Sequence, residues 1–247
     1  MKVLFSPSEA KSDFIGNEKL SDRSLIFSAL FEKRVYIIKK LTSFLAISSS
    51  DKIEKFFGIK NSIECEKLAK LDLFSSSTCK AIQRYSGVSY QYLNFDSLSN
   101  GQKDWICENT LIFSNLFGPI SANDDLPYYR FKQGSTLDGF KPELFYKENF
   151  SKVIDSYIGS NLVIDLRAGF YEKFYTLKCK HITMKFIKNG KVVSHWAKAY
   201  RGKVLRELSK SQPKSVIEFE NINFKGLSIK EIIETKLKRE YIFKIDV

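Results

Sequence analysis

The first apolar positions, Val3-Leu4-Phe5, form a short unbroken run closed by Pro7, which predicts a buried strand opening into a polar loop from Ser6 to Ser12. From Ser24 to Ala46 apolar residues recur at helical spacing (Leu25, Phe27, Leu30, Phe31, Val35, Ile38, Leu41, Phe44, Leu45) and predict one long amphipathic helix. A second helix is expected after Asp51, halted by Gly58, and a third after Asn61, through Leu71. Their junction, Phe57-Gly58-Ile59-Lys60, has the hydrophobic-Gly-hydrophobic core of a helix-hairpin-helix DNA-binding turn but lacks its second glycine. The commoner origin of such a pattern is a glycine-ended helix followed by another helix.

Farther along, Gln102 to Phe117 predicts a helix ending near Gly118-Pro119, and Ile120 to Leu144 has no clear period. Leu162 to Leu166 is a nearly continuous apolar run, as expected of a strand covered on both faces. Thr183 to Lys188 and Lys191 to Lys198 alternate about Asn189-Gly190, a strong hairpin signal. From Gly202 the pattern turns helical through Val204, Leu205 and Leu208. Ser228-x-x-Glu231 reads as the capping box of a last helix through Leu237, and Tyr241 to Val247 as a terminal strand. Strands scattered among helices, with an antiparallel hairpin, indicate an α/β to α+β fold with a mixed sheet and surrounding helices. No repeat or linker divides the chain, so residues 1–247 are expected to form a single domain.

Charge sharpens this picture. Lys and Arg number 40 against 28 Asp and Glu, a formal net charge of +12 that favours association with polyanions. Lysine is spread widely alongside Ile, Phe, Ser and Asn, so part of the excess reflects composition. The cysteines (Cys65, Cys79, Cys107, Cys179) show no metal-ligand spacing, and His181 and His195 are the only histidines, so neither a metal nor a cofactor is expected. A thiol that senses peroxide would have to be exposed and acidic, and Cys107 or Cys179 beside Lys178 and Lys180 is the nearest candidate. No signal-peptide core follows Met1 and no run is long enough to span a membrane, which suggests a cytoplasmic chain, taken as a monomer.

Polar clusters at three places could hold chemistry. Ser6-Pro7-Ser8-Glu9-Ala10-Lys11-Ser12 directly follows the first strand and could meet an anion at the sheet edge, although it lacks the glycines of a P-loop. Ala197-Lys198-Ala199-Tyr200-Arg201-Gly202 precedes Lys203 and Arg206; it is either a phosphate seat at a helix start or a solvated basic turn. Asp165-Leu166-Arg167-Ala168-Gly169-Phe170-Tyr171-Glu172-Lys173 offers either a sheet-edge site or a buried Asp165–Arg167 pair.

Taken in order, these clusters resemble the YaaA family of bacterial peroxide-stress proteins. The family opens with a strand and a Ser-Pro loop bearing Lys-Ser/Thr, here Ser6 to Ser12, and carries a late Lys-x-x-Arg-Gly, here Lys198 to Gly202. Tyr85-Ser86-Gly87-Val88-Ser89-Tyr90, Ser114-Asn115-Leu116-Phe117-Gly118 and Pro127-Tyr128-Tyr129-Arg130 are similar to its intervening segments. Asn115 stands where glycine is usual, and Leu166 to Tyr171 lacks the family's glutamate. The resemblance implies one mixed α/β domain with a helix-hairpin-helix-like element, a basic cleft that binds duplex or structured DNA, and a role in limiting iron-driven oxidative damage. Under that reading Ser6, Ser8, Lys11, Lys60, Arg130, Lys198, Arg201, Lys203 and Arg206 contact the nucleic acid. It supplies no reaction and no catalytic residue. The alternative is an enzyme acting on a small phosphorylated or carboxylated substrate, with Ser6, Glu9, Lys11, Tyr129, Arg130, Lys198 and Arg201 converging on a pocket.

Overall fold

The computed structural model describes residues 1–246, apart from the side chains of Ser194 and His195. The first strand, β1 (Lys2–Phe5), is the pivot, because Val3, Leu4 and Phe5 are almost wholly buried. A run without polar residues suits a strand covered on both faces and hydrogen-bonded on both edges. After it come α1 (Phe31–Ile47), α2 (Ser50–Phe57), α3 (Ser62–Ala69), β2 (Thr78–Lys80), α4 (Ala81–Arg84), α5 (Val88–Leu93) and α6 (Asn100–Asn109). The middle of the chain supplies β3 (Thr110–Ser114), β4 (Gly118–Ser121), β5 (Asp125–Pro127), α7 (Pro142–Ile158) and β6 (Val163–Asp165). The last third forms β7 (His181–Lys188), β8 (Lys191–Val192), α8 (Ser194–Ser211), α9 (Val216–Glu220), β9 (Leu227–Glu234) and β10 (Lys238–Ile245).

One mixed sheet of eight strands runs β4-β3-β1-β6-β7-β10-β9, with β8 on β7. The strands β3, β1, β6, β7 and β10 run parallel to one another, while β4 and β9 close the two edges antiparallel and β8 pairs antiparallel with β7. The chain moves from β1 to β3 on one side and resumes on β6 on the other. The strand order therefore reverses at β1, and the loops after β1 and β6 part there to leave a crevice, as in doubly wound sheets. A separate ribbon of β2 and β5 ties the approach to α4 to the turn after β4. Among the described residues no helix is long and apolar enough to cross a membrane.

Several elements differ from the sequence expectation, each because a tertiary partner outweighs local pattern. The helix expected from Ser24 begins only at Phe31; short 3-10 turns precede it, since Phe27 adopts a left-handed conformation (φ 61°). Asp124 Oδ2 accepts the Ile26 N–H at 2.9 Å, and the buried Arg34 guanidinium donates to the carbonyls of Phe27, Phe117 and Pro119, so the bend is tied to β4. The helix expected through Phe117 stops at Asn109. Thr110 to Ser114 is fully buried between β1 and β4, where β-branched and aromatic residues gain more from sheet pairing. The segment from Ile120 holds the end of β4 and all of β5 before it becomes irregular, and Pro142 then occupies the first turn of α7.

At the hairpin, Asn189 (φ 51°) and Gly190 (φ 78°) form the expected turn, yet β8 lasts only two residues before α8 starts. Ala197 to Gly202 thus lies inside a helix and not at its start. The expected helix after Ser228 is instead β9, which pairs with β10; the register shifts between Ile242 and Phe243 and leaves Lys230 as a bulge. The terminal strand is present to Ile245, and Val247 lies outside the described residues. The junction at Gly58 (φ 69°) is a glycine-ended helix followed by a second helix capped by Asn61, whose side chain accepts the Glu64 N–H.

Two close approaches position the functional region. A Cβ on Gly202 of α8 would lie 1.9 Å from the Ser89 carbonyl oxygen of α5, and one on Gly87 would lie 2.0 Å from Ser8 Oγ. Helical glycine normally costs about 1 kcal/mol relative to alanine. Gly202→Ala is therefore expected to destabilise despite its better helix propensity, by about 2 kcal/mol from overpacking. Urea denaturation checks this against Gly101→Ala, where a Cβ meets nothing within 4 Å and stability holds or rises. A stabilised Gly202→Ala protein would show that α5 and α8 are not in rigid contact.

Candidate functional site

The crevice beyond β1 and β6 is a cleft of about 370 Å³ walled by the loop after β1, the start of α5, the loop after β6, Gln133 and one face of α8. Each wall follows from local bonding. Ser6 Oγ accepts the Ala168 N–H at 2.8 Å and Tyr90 donates its hydroxyl to the Ser6 carbonyl at 2.9 Å, so Ser6 fastens the loops to one another. The rest of the loop is stitched to α4 and its flank by Ser12 N to the Arg84 carbonyl (2.8 Å) and Ser86 N to the Ala10 carbonyl (3.1 Å). Gly87 then lets Ser8 come close, and the Ser8 hydroxyl lines the cleft with no hydrogen-bond partner among the described residues.

On α8, Lys198 and Arg201 are one turn apart and both line this cleft. Ser89 Oγ donates to the Lys198 carbonyl at 2.8 Å, and Gly202 seats the helix on α5. Lys203 and Arg206 point elsewhere. They line a neighbouring cleft of about 430 Å³ with Tyr92, Tyr200 and Phe224. There Lys203 sits 4.7 Å from the Tyr200 ring centre, while Arg206 Nη1 caps the end of α5 by donating to the Leu93 and Asn94 carbonyls and to Ser97 Oγ. Lys60 is exposed on the turn between α2 and α3.

Arg130 is anchored in the wall. Its Nε donates to the Phe57 carbonyl at 3.1 Å, Nη1 to the Glu9 carbonyl at 3.4 Å, and Nη2 pairs with Glu9 Oε2 at 3.5 Å; the other Glu9 oxygen accepts the Gln133 N–H. Behind this pair, Lys11 Nζ donates to the Ser8 and Glu9 carbonyls at 3.2 and 3.3 Å and lies 4.2 Å from the Tyr129 ring centre. Burial, reinforced by the positive charge of Arg130, pulls the Lys11 amine down to about 7 against the opposing pull of Glu9.

Beneath Lys11 runs a buried chain of hydroxyls, Ser114 to Tyr129 and Tyr129 to Tyr85, each link 2.7 Å. Ser114 Oγ accepts the N–H groups of Leu116 and Phe117, which directs its own proton to Tyr129. Burial keeps both tyrosines neutral, with Tyr129 pushed up to about 12. No spacing in the sequence announces this chain, because its members come from three separate segments.

In the third cluster Asp165 and Arg167 form a structural pair, while Leu166, Ala168 and Tyr171 line the cleft. Arg167 meets Asp165 through two hydrogen bonds of 2.9 and 2.7 Å and donates to the Tyr171 and Tyr175 carbonyls, all at low exposure. Burial raises the thiols of Cys107 and Cys179, opposite to the direction a peroxide-reactive thiol needs.

A polar feature absent from the sequence reading adjoins the site. Gln133 also lines a cleft of about 480 Å³ with Lys52, Lys55, Lys132, Ser135 and Thr136. The Lys132 side chain packs beside Gly58, so the α2–α3 turn borders the same track. The signal was present as Lys132-Gln133-Gly134-Ser135-Thr136, inside the stretch without period.

The chain is 47% identical over 245 residues to an uncharacterized protein of Campylobacter jejuni, covering 99% of both chains. It is 32% identical over 221 residues to a UPF0246 protein of Corynebacterium efficiens, covering 85% of this chain and 86% of that one. A UPF0246 protein of Streptomyces coelicolor is 27% identical over 215 residues, 84% of this chain and 82% of the other. The model of the peroxide stress protein YaaA matches residues 1–232, and the chain belongs to that family.

Proposed function

We propose that this protein acts in the peroxide stress response by binding duplex or structured DNA along the basic track that passes through the two adjoining clefts, and so limits iron-driven damage to the nucleic acid. The observation that carries the reading is the shared wall at Gln133, which joins Lys198 and Arg201 on one side to Lys132 and Lys55 on the other, where Lys52 is paired with Asp138. A phosphate backbone needs such a row of cations, and the overall charge of +12 supplies the attraction that brings it there. Lys60 on the bordering turn extends the row, while Ser6, Lys11 and Arg130 shape the wall. Contacts of this kind position the backbone and do not read bases, so selectivity is for shape.

Binding is expected to weaken steeply with salt, with the logarithm of affinity falling by about 0.9 per phosphate neutralised for each tenfold rise in salt. Lys132→Gln, Lys198→Gln and Arg201→Gln should each lower that slope by about one. Fluorescence anisotropy across a salt series measures it; a flat response, or no binding at low salt, overturns the reading.

A second reading, an enzyme acting on a small anion, is favoured by Lys11. Its amine, pulled down to about 7, is held by the Ser8 and Glu9 carbonyls over the Tyr129 ring behind the cleft wall, so it changes charge near neutral pH. Its pKa is lowered on folding from 10.5 to about 7, so the unfolded chain holds the extra proton between these values and stability rises with pH across that window. Lys11→Met removes this rise, which urea denaturation at pH 7 and 9 detects in the difference between the two proteins. A lysine ε-carbon resonance for Lys11 that titrates near 10 instead of 7 would refute it.

A further inference from the structure

Arginines enclosed by this fold find acceptors. Arg34 and Arg84 each donate to backbone carbonyls, Arg130 closes on Glu9 and Phe57, Arg167 on Asp165, and Arg206 on the end of α5. Arg201 is the exception. It is half-buried and lines the switch-point cleft, and among the described residues its side chain makes no hydrogen bond and no ion pair. Asp165 is the acid whose charge reaches it, but both Asp165 oxygens are held by Arg167. The Arg201 nitrogens are not among the buried donors left without a partner, so water reaches the fork and a charged acceptor can displace it.

The surroundings define that anion. Lys198 stands one turn away on the same face of α8, and the Ser8 hydroxyl faces the same space without a partner. Glu9, the acid on the rim, has its oxygens occupied by Gln133 N–H and Arg130. Phe5, Tyr90, Leu166 and Tyr171 add apolar and aromatic surface to the lining of this recess of about 370 Å³. Such a recess is at the small-molecule end of the range and suits one phosphate with its sugar. An internal phosphodiester has both ester oxygens committed to chain that must leave again. A terminal phosphomonoester presents three free oxygens and nearly two negative charges at neutral pH, which matches a fork, an ammonium and a hydroxyl.

We propose that the switch-point cleft seats the terminal phosphomonoester of a broken DNA strand, gripped by Arg201, Lys198 and Ser8, while the neighbouring lysine track carries the continuing backbone. The inference rests on the DNA reading above. It also fits the family's setting, because sugar fragmentation by hydroxyl radical leaves strand breaks that end in phosphomonoesters.

The test compares gapped duplexes that differ only at the gap: 5′-phosphate, 3′-phosphate, or hydroxyl on both ends, measured by fluorescence anisotropy at fixed salt. A phosphate-ended gap is expected to bind about tenfold tighter than the hydroxyl-ended one, and the tighter of the two phosphate arms gives the strand polarity. Arg201→Gln should bring that ratio close to one, and Ser8→Ala should reduce it, with circular dichroism melts confirming that both variants fold. If Arg201→Gln does not fold, Arg201→Lys keeps the charge, removes the fork and should still lower the ratio. Equal affinity for phosphate and hydroxyl ends in the unaltered protein overturns the proposal. Failure to bind any duplex at low salt instead defeats the DNA reading; a dinucleotide with and without a terminal phosphate then probes the seat alone, and equal or absent binding of the two removes it as well.

Discussion

The structure depends on how closely α5 is wedged between the loop after β1 and the helix α8. Two positions without a Cβ make the wedge fit: Gly87 against Ser8, and Gly202 against the Ser89 carbonyl. Because α5 touches both walls, it sets the width of the crevice that the strand-order reversal opens at β1. The contact at Gly202 is with the α5 backbone, which no side-chain rotation can relieve, so the seating of α8 and its Arg201 on α5 is a property of the scaffold; the contact at Gly87 is with the Ser8 side chain. The Lys-x-x-Arg-Gly motif is thereby explained residue by residue: the glycine seats the helix, and the lysine and arginine one turn apart face the cleft.

Charge in this region is sorted by environment and not by abundance. Arg130, Arg167 and Arg206 hold segments together through carbonyls and carboxylates, whereas Lys198 and Arg201 remain available to an outside anion. Lys11 belongs to neither group. Held between carbonyls and aromatic rings, it has lost the strong preference for protonation of an exposed lysine. Thus the surplus of cations counted along the sequence overstates the number that face one surface, and the helical periodicity of α8 divides Lys198 and Arg201 from Lys203 and Arg206.

Much of the fold could be read from the sequence where local pattern and tertiary environment agree. Val3-Leu4-Phe5, the run through Val163-Ile164, the turn at Asn189-Gly190 and the stop at Gly58 are such places. Reading failed where one segment satisfies two periods. Thr110 to Phe113 continues the apolar pattern of α6 until pairing with β1 and β4 claims it, and Ser228 to Glu234 carries a capping signal that pairing with β10 overrides. Of the site, Ser8, Lys198 and Arg201 were legible as motif residues. Gln133, Lys132, Lys55 and Lys52 were not, since only the folded chain brings α2 beside an irregular loop.

The bulge at Lys230 reaches beyond local geometry. Strand β9 is the free margin of the sheet, and Ile229, Ile232 and Ile233 on it are 39–44% exposed, a combination that invites another chain to add itself. An unpaired lysine in mid-strand bends that margin and places a cation where an incoming strand would have to lie flat. The sheet therefore ends in a bent, charged border and not in the flat edge that an incoming strand would need.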